Sequence, residues 1–229
     1  MTTVTTSTVF APSLPWTIRW PRPVAREGQS AYEVAKRVVD VFVAAALIVL
    51  LAPVMLVAAA VVKLTSPGPA IFKQTRAGLG GRPFTMYKFR TMRQGAERAR
   101  YSLVHLNEKD GPVFKIANDP RLTPVGRWLR RSSIDELPQL FNVLRGEMSL
   151  VGPRPLWLPE ADKTEGRARL RAAVKPGLTC LWQISGRSEL SYDEWVGLDL
   201  CYVHNRSMLL DLMIMVQTVP VVISARGAY

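Results

Sequence analysis

Cysteine and histidine are scarce in this chain of 229 residues. There are two cysteines, Cys180 and Cys201, with no Cys-x-x-Cys, and two histidines, His105 and His204, far apart in sequence. That excludes a disulfide framework and a zinc centre, and leaves two unpaired thiols expected in the core. Aromatic residues are only 8% and are seldom interleaved with Lys and Arg, which argues against a single-stranded nucleic-acid groove. No Walker loop, no GxGxxG after a strand, no HExxH and no GxSxG occurs; the Gly-Leu-Gly-Gly at 78–81 lacks the Lys-Ser/Thr of a phosphate loop. Acidic residues are outnumbered, 18 against 30 basic, for a net charge of +12. An acidic partner follows: nucleic acid, anionic lipid headgroups or a phosphorylated small molecule. With 48% hydrophobic residues, disorder of the whole chain is excluded.

What is present begins with a tail. Residues 1–30 are rich in Thr, Ser and Pro, and read as a solvated segment with Trp16 and Trp20 able to touch a membrane surface. It is not a signal peptide, because no basic stretch precedes an apolar run. Residues 41–62, VFVAAALIVLLAPVMLVAAAVV, hold no charge over 22 positions, long enough to cross a bilayer. The alternative is a buried core helix. Pro53 in its middle removes a backbone hydrogen bond and calls for a kink. Lys36 and Arg37 precede the run, and Lys63, Lys73 and Arg76 follow it. Basic flanks on both sides fit a helix that enters, bends and leaves by one face; a spanning helix, with the tail outside, stays open.

Beyond it, 70–74 and 83–89 read as two short strands joined by the Gly78–Gly81 loop. Residues 93–118 read as mixed helix and loop. Helical spacing of apolar residues appears over 121–131 and from Leu137 onward. A charged helix is expected over 160–174, another helix over 192–204, and an interfacial or core-packed helix over 208–223.

Candidate chemistry concentrates at Arg130-Arg131-Ser132-Ser133-Ile134-Asp135-Glu136-Leu137-Pro138. Ser133 and Glu136 have capping-box spacing, or Asp135 caps with Pro138 in the first turn. Capping and catalysis both remain open for this pair of carboxylates. Arg154, between Pro153 and Pro155, is a rigidly presented guanidinium fork suited to phosphate. Lys88 and Arg90 alternate onto one strand face. Gly186-Arg187-Ser188, with Asp193 and Asp199 downstream, is uninformative alone.

SPGPAIFKQTRAG, MYKFRTM, SSIDELPQLFNVLRGEMSLVGPRP, VKPGLTCLWQISGRSEL and LDLCYVHNRSMLLDL, in collinear order with the Pro53 run, resemble the bacterial sugar transferases, the monotopic polyprenol-phosphate phosphoglycosyl transferases. The resemblance implies a mostly helical α+β fold. A re-entrant membrane helix would occupy 31–65, and a small cytoplasmic catalytic domain 66–229, with short strands and interfacial amphipathic helices. It implies transfer of a sugar 1-phosphate from a UDP-sugar to undecaprenyl phosphate at the cytoplasmic face of the inner membrane, releasing UMP and starting a surface polysaccharide. Asp135 would be the nucleophile and Glu136 would support Mg²⁺. Arg130, Arg154, Lys88 and Arg90 would clamp phosphate, and Asp199 would assist metal or acceptor. Relatives often carry Ser before the membrane proline; here Ala52 stands there. The QISGRSELSYDEW form and the Gly227-Ala228-Tyr229 end resemble members that load hexose 1-phosphate. The partners expected are the UDP-sugar, undecaprenyl phosphate and membrane lipid, with no nucleic acid and with a homodimer compatible. Two rival classes are a membrane-anchored basic binding protein and a non-catalytic assembly scaffold; an intact acid pair with Arg clamps argues against both.

Overall fold

A computed structural model of the chain describes residues 29–225 and Gly227; the reading of 1–30 as a tail falls, but for its last two positions, outside the described residues. The first helix, α1 (Gln29–Thr65), runs through Pro53. Only 11% of its most apolar 18-residue window is buried, which excludes the core-helix alternative. Its two flanks are packed and its middle is bare. Val43, Ala44, Leu47 and Ile48 join the main core; Met55, Ala58, Ala59 and Val62 pack against Phe89 and Leu129 in a second cluster. Around the middle, Val49, Leu50, Val54, Leu56 and Val57 are exposed.

Polar ties fix the first flank. Arg37 donates to the carbonyls of Val143 (2.6 Å) and Leu144 (2.7 Å), at the C-terminal end of another helix. Asp40 accepts from the Ser149 hydroxyl (3.1 Å) and the Leu150 N–H (2.9 Å). Lys36 and Tyr32 both donate to the buried Asp211, at 2.8 and 2.9 Å, and Tyr202 reaches its other oxygen at 2.7 Å.

The expected hairpin forms, with a longer first strand. β1 (Ile71–Ala77) pairs antiparallel with β2 (Pro83–Phe89), Ile71 opposite Phe89 and Ala77 opposite Pro83. Gly80 and Gly81 turn the chain at φ 63° and 76°, a left-handed conformation open to glycine. After a short α2 (Ala96–Ala99), α3 (Pro124–Arg131) starts with Thr123 as its cap, accepting from the Gly126 N–H at 2.9 Å. Then come α4 (Gln139–Arg145), β3 (Ser149–Val151) and α5 (Leu158–Ala161). β3 lies parallel to β4 (Gly177–Thr179), a pairing that the turn-rich sequence there did not announce. A Cβ on Gly177 would sit 2.0 Å from the Gly152 nitrogen, so glycine is what lets these strands meet.

The helix expected over 160–174 does not form as one piece. It divides into α5 and a 3-10 stretch, Gly166–Ala173, because Gly166 takes a left-handed φ of 55°. The short α6 (Leu181–Ile184) precedes α7 (Tyr192–Asn205), which carries a true capping box between Ser191 and Glu194. In α8 (Met208–Ser224), Leu210, Asp211 and Ile214 are buried while Leu209, Leu212, Val216, Val219 and Ile223 form an exposed row at helical spacing. Both thiols are free, Cys180 buried.

Candidate active site

Asp135 and Glu136 sit on a 3-10 turn, Ile134–Glu136, between α3 and α4. Neither capping arrangement forms. Ser133 takes a left-handed φ of 57° and its side chain makes no cap bond, while Pro138 stands before the first residue of α4, where its missing N–H costs little. The left-handed turn at Ser133 carries the chain out of α3 and aims both carboxylates at β2.

There Lys88 meets them. Its Nζ lies 2.6 Å from Glu136 Oε1 and 3.9 Å from Asp135 Oδ2. Arg154 Nη1 reaches the same Glu136 Oε1 at 3.2 Å. The adjacent carboxylates therefore live in unlike fields. Burial pushes the Asp135 carboxyl up to about 6, helped by the neighbouring Glu136 charge and opposed by Lys88 and Arg130. Burial would raise Glu136 too, but Lys88 and Arg154 override it and hold that carboxyl far below the usual range. At neutral pH Glu136 is a fixed anion, while Asp135 is ionised, desolvated and 3.9 Å from the Lys88 ammonium.

Around the pair opens a cleft of about 810 Å³, lined by twelve basic and five acidic side chains. Lys88, Arg90, Arg130 and Arg154 all line it, so the four expected phosphate-binding cations and the acid pair share one cleft. Arg130 donates to the Thr91 hydroxyl at 3.1 Å. Arg90 does more structural duty than expected: its Nη2 holds the Ser66 carbonyl and hydroxyl, each at 2.8 Å, tying the end of α1 to the cleft wall. Asp199 lies elsewhere. It is fully buried on α7, ion-paired with Arg171, and does not line the cleft. Burial raises its carboxyl to about 6 despite Arg171.

Several cleft residues carried no readable signal. Lys115 contacts the Ser188 hydroxyl, and burial with the Arg154 and Arg130 charges lowers it to about 7. Arg76 is lowered to about 10 by burial, then by Arg154. Trp182 lies under the Arg154 guanidinium, 5.6 Å from its ring centre. Among the described residues no three His, Cys, Asp or Glu side chains gather as a metal cluster.

Residues 31–225 match the bacterial sugar transferase family. The chain belongs to that family. This sugar transferase is 40% identical to the exopolysaccharide production protein ExoY of Sinorhizobium fredii, over 86% of its own length and 88% of the relative's. It is 44% identical to the UDP-glucose:undecaprenyl-phosphate glucose-1-phosphate transferase of Caulobacter vibrioides, over 91% of itself and 77% of that protein. Against the galactosyl transferase CpsE of Streptococcus agalactiae serotype III it is 47% identical, but the match spans 36% of that longer chain. None of these names bears on a homodimer.

Proposed function

We propose that this sugar transferase moves a hexose 1-phosphate from a UDP-sugar to undecaprenyl phosphate at the cytoplasmic face of a bacterial inner membrane. The observation that carries the reading is the pair of adjacent buried carboxylates held in unlike states inside a basic cleft. Asp135 is a carboxylate with little solvation to shed, which suits a nucleophile. Its oxygen attacks the β-phosphorus; an acyl-phosphate bond forms and the bond from that phosphorus to the bridging oxygen breaks. UMP leaves with the electron pair. An oxygen of the lipid phosphate then attacks the same phosphorus and releases the Asp135 carboxylate, so no net proton is consumed.

Charge neutralisation is the larger need in phosphoryl transfer, and Arg154, Arg130 and Lys88 face the cleft where the diphosphate would lie. The donor set fits Mg²⁺. Glu136 is held ionised, both cations meet only its Oε1, and Mg²⁺ is usually bound through one or two carboxylates plus substrate phosphates rather than a full protein cage. When bound, the ion would supply further neutralisation of the diphosphate.

The bare apolar middle of α1, its Pro53 and its two flanks packed on one catalytic body support a re-entrant membrane helix. That geometry would keep the cleft at the bilayer surface, where a water-soluble donor and a lipid phosphate meet. The deciding experiment incubates the protein with a UDP-sugar labelled in the sugar and no lipid acceptor, then denatures it. Label should stay covalently on wild type and be absent from Asp135→Asn. Retention of label by the Asn variant would overturn the nucleophile assignment.

A further inference from the structure

The segment that presents Arg154 is Pro153-Arg154-Pro155-Leu156. Two of its four residues lack an N–H, so it has few donors of its own to be held by. It is held through its carbonyls, every one of which is taken. The Gly177 N–H bonds Pro153 O at 3.0 Å, and the Ala77 N–H bonds Leu156 O at 3.0 Å. The two between are gripped by guanidinium groups: Arg171 Nη2 donates to Arg154 O, and Arg76 Nη1 to Pro155 O, both at 3.2 Å.

Arg171 reaches the Arg154 side chain as well. Its guanidinium lies 4.6 Å over the Trp195 ring, Trp195 lies 5.2 Å from Trp182, and the Arg154 guanidinium lies 5.6 Å over Trp182. Cation, ring, ring and cation thus follow one another, the two rings tilted at 47°, with attraction at each end from the ring quadrupoles. Arg171 is buried, and a buried cation needs a counter-ion; Asp199, fully enclosed, supplies it.

We infer that Arg171, neutralised by Asp199, is a positioning residue that sets the aim of Arg154 toward Glu136 and the transferring phosphate. Asp199 acts from behind the cleft and touches no substrate. The inference rests on the reading of Arg154 as a phosphate clamp, and deepens it by naming what aims the clamp. Lysine at 171 keeps the charge opposite Asp199 but loses the flat fork that both grips the carbonyl and stacks on Trp195.

The test is a double-mutant cycle on the full chain in nanodiscs, reading UMP release from the best donor of a UDP-sugar panel. Arg171→Lys should lower kcat/KM about tenfold or more in wild type, since small misplacements of an aiming group carry such costs. In the Arg154→Ala background the same change should cost less than about threefold, because the group it aims is gone. Asp199→Asn runs the same cycle as a second variant in case Arg171→Lys folds poorly, with thermal midpoints recorded for each protein. An equal cost in both backgrounds would overturn the positioning role and leave the clamp intact. A wild-type rate in Arg154→Ala alone would overturn the clamp reading itself, and the inference with it.

Discussion

Asp135→Asn should make the protein more stable as it makes it inactive. The carboxyl is only 5% exposed and its proton affinity is raised from 3.8 to about 6, chiefly by burial. The folded protein therefore binds that proton more tightly than the unfolded chain does. The associated stability is present below pH 3.8, is lost as the pH rises toward and through 6, and stays lost above it. At about 1.4 kcal/mol per pH unit the full cost of the ionised Asp135 is about 3 kcal/mol. Asparagine has the same shape and never ionises, so it escapes that cost. For a chain of this size the gain is roughly 6–12 °C in thermal midpoint. The assay is thermal unfolding in detergent, wild type against Asp135→Asn, at pH 4, 5, 6, 7 and 8. The difference should be near zero at pH 4, grow through pH 6 and then level off. A difference that ignores pH, or a less stable variant at pH 8, would refute the argument that burial strains this carboxylate.

Arg154→Ala should slow transfer by roughly 30- to 1000-fold, the cost of one charge-assisted contact at a phosphoryl group, and Arg154→Lys should recover only part of it in steady-state UMP release. EDTA should halt turnover and Mg²⁺ restore it; activity that persists after exhaustive chelation would remove the metal from the scheme. Asn142→Ala should destabilise the fold by about 2–4 kcal/mol in denaturant melts, because its side chain serves Tyr87 N, Thr85 O and Glu147 together with zero exposure. Single cysteines at Glu33 and Glu108 should label from the same side of intact inner-membrane vesicles; opposite sides would mean that α1 spans.

The parts of this protein legible in its sequence are those set by local chemistry. The hairpin was readable because glycines sit where the turn needs them, and the acid pair because two carboxylates among arginines are conspicuous. Helix 160–174 misled because its charge pattern is helical, while a single left-handed Gly166 breaks it. The capping-box spacing at Ser133 forms no box because that residue is left-handed, φ 57°, whereas Ser191 enters α7 extended, φ −65° and ψ 164°, and does form one. Asp199 gained its metal or acceptor role from the family resemblance alone, and nothing local shows its partner. Arg171 is 28 positions away, and only the packing of the 3-10 stretch on α7 brings them together. Lys115 stands in a loop with no periodicity to mark it.

The clamping of α1 decides how this enzyme can be handled. Asp40 closes onto β3, which leads within a few residues to Arg154, and Ala58 and Val62 sit under Phe89 beside Lys88. The apolar helix is thus a keel joined to the hull, not a tether. Cutting the chain after residue 65 to obtain a water-soluble enzyme would strip a wall from both cores and leave the Leu150 N–H and the Leu144 carbonyl without the partners α1 gives them. Exchanging the helix for a foreign anchor would restore membrane binding and none of those contacts. A soluble version would have to keep α1 and repaint only the bare positions of its middle, Val49, Leu50, Val54, Leu56 and Val57, with polar side chains.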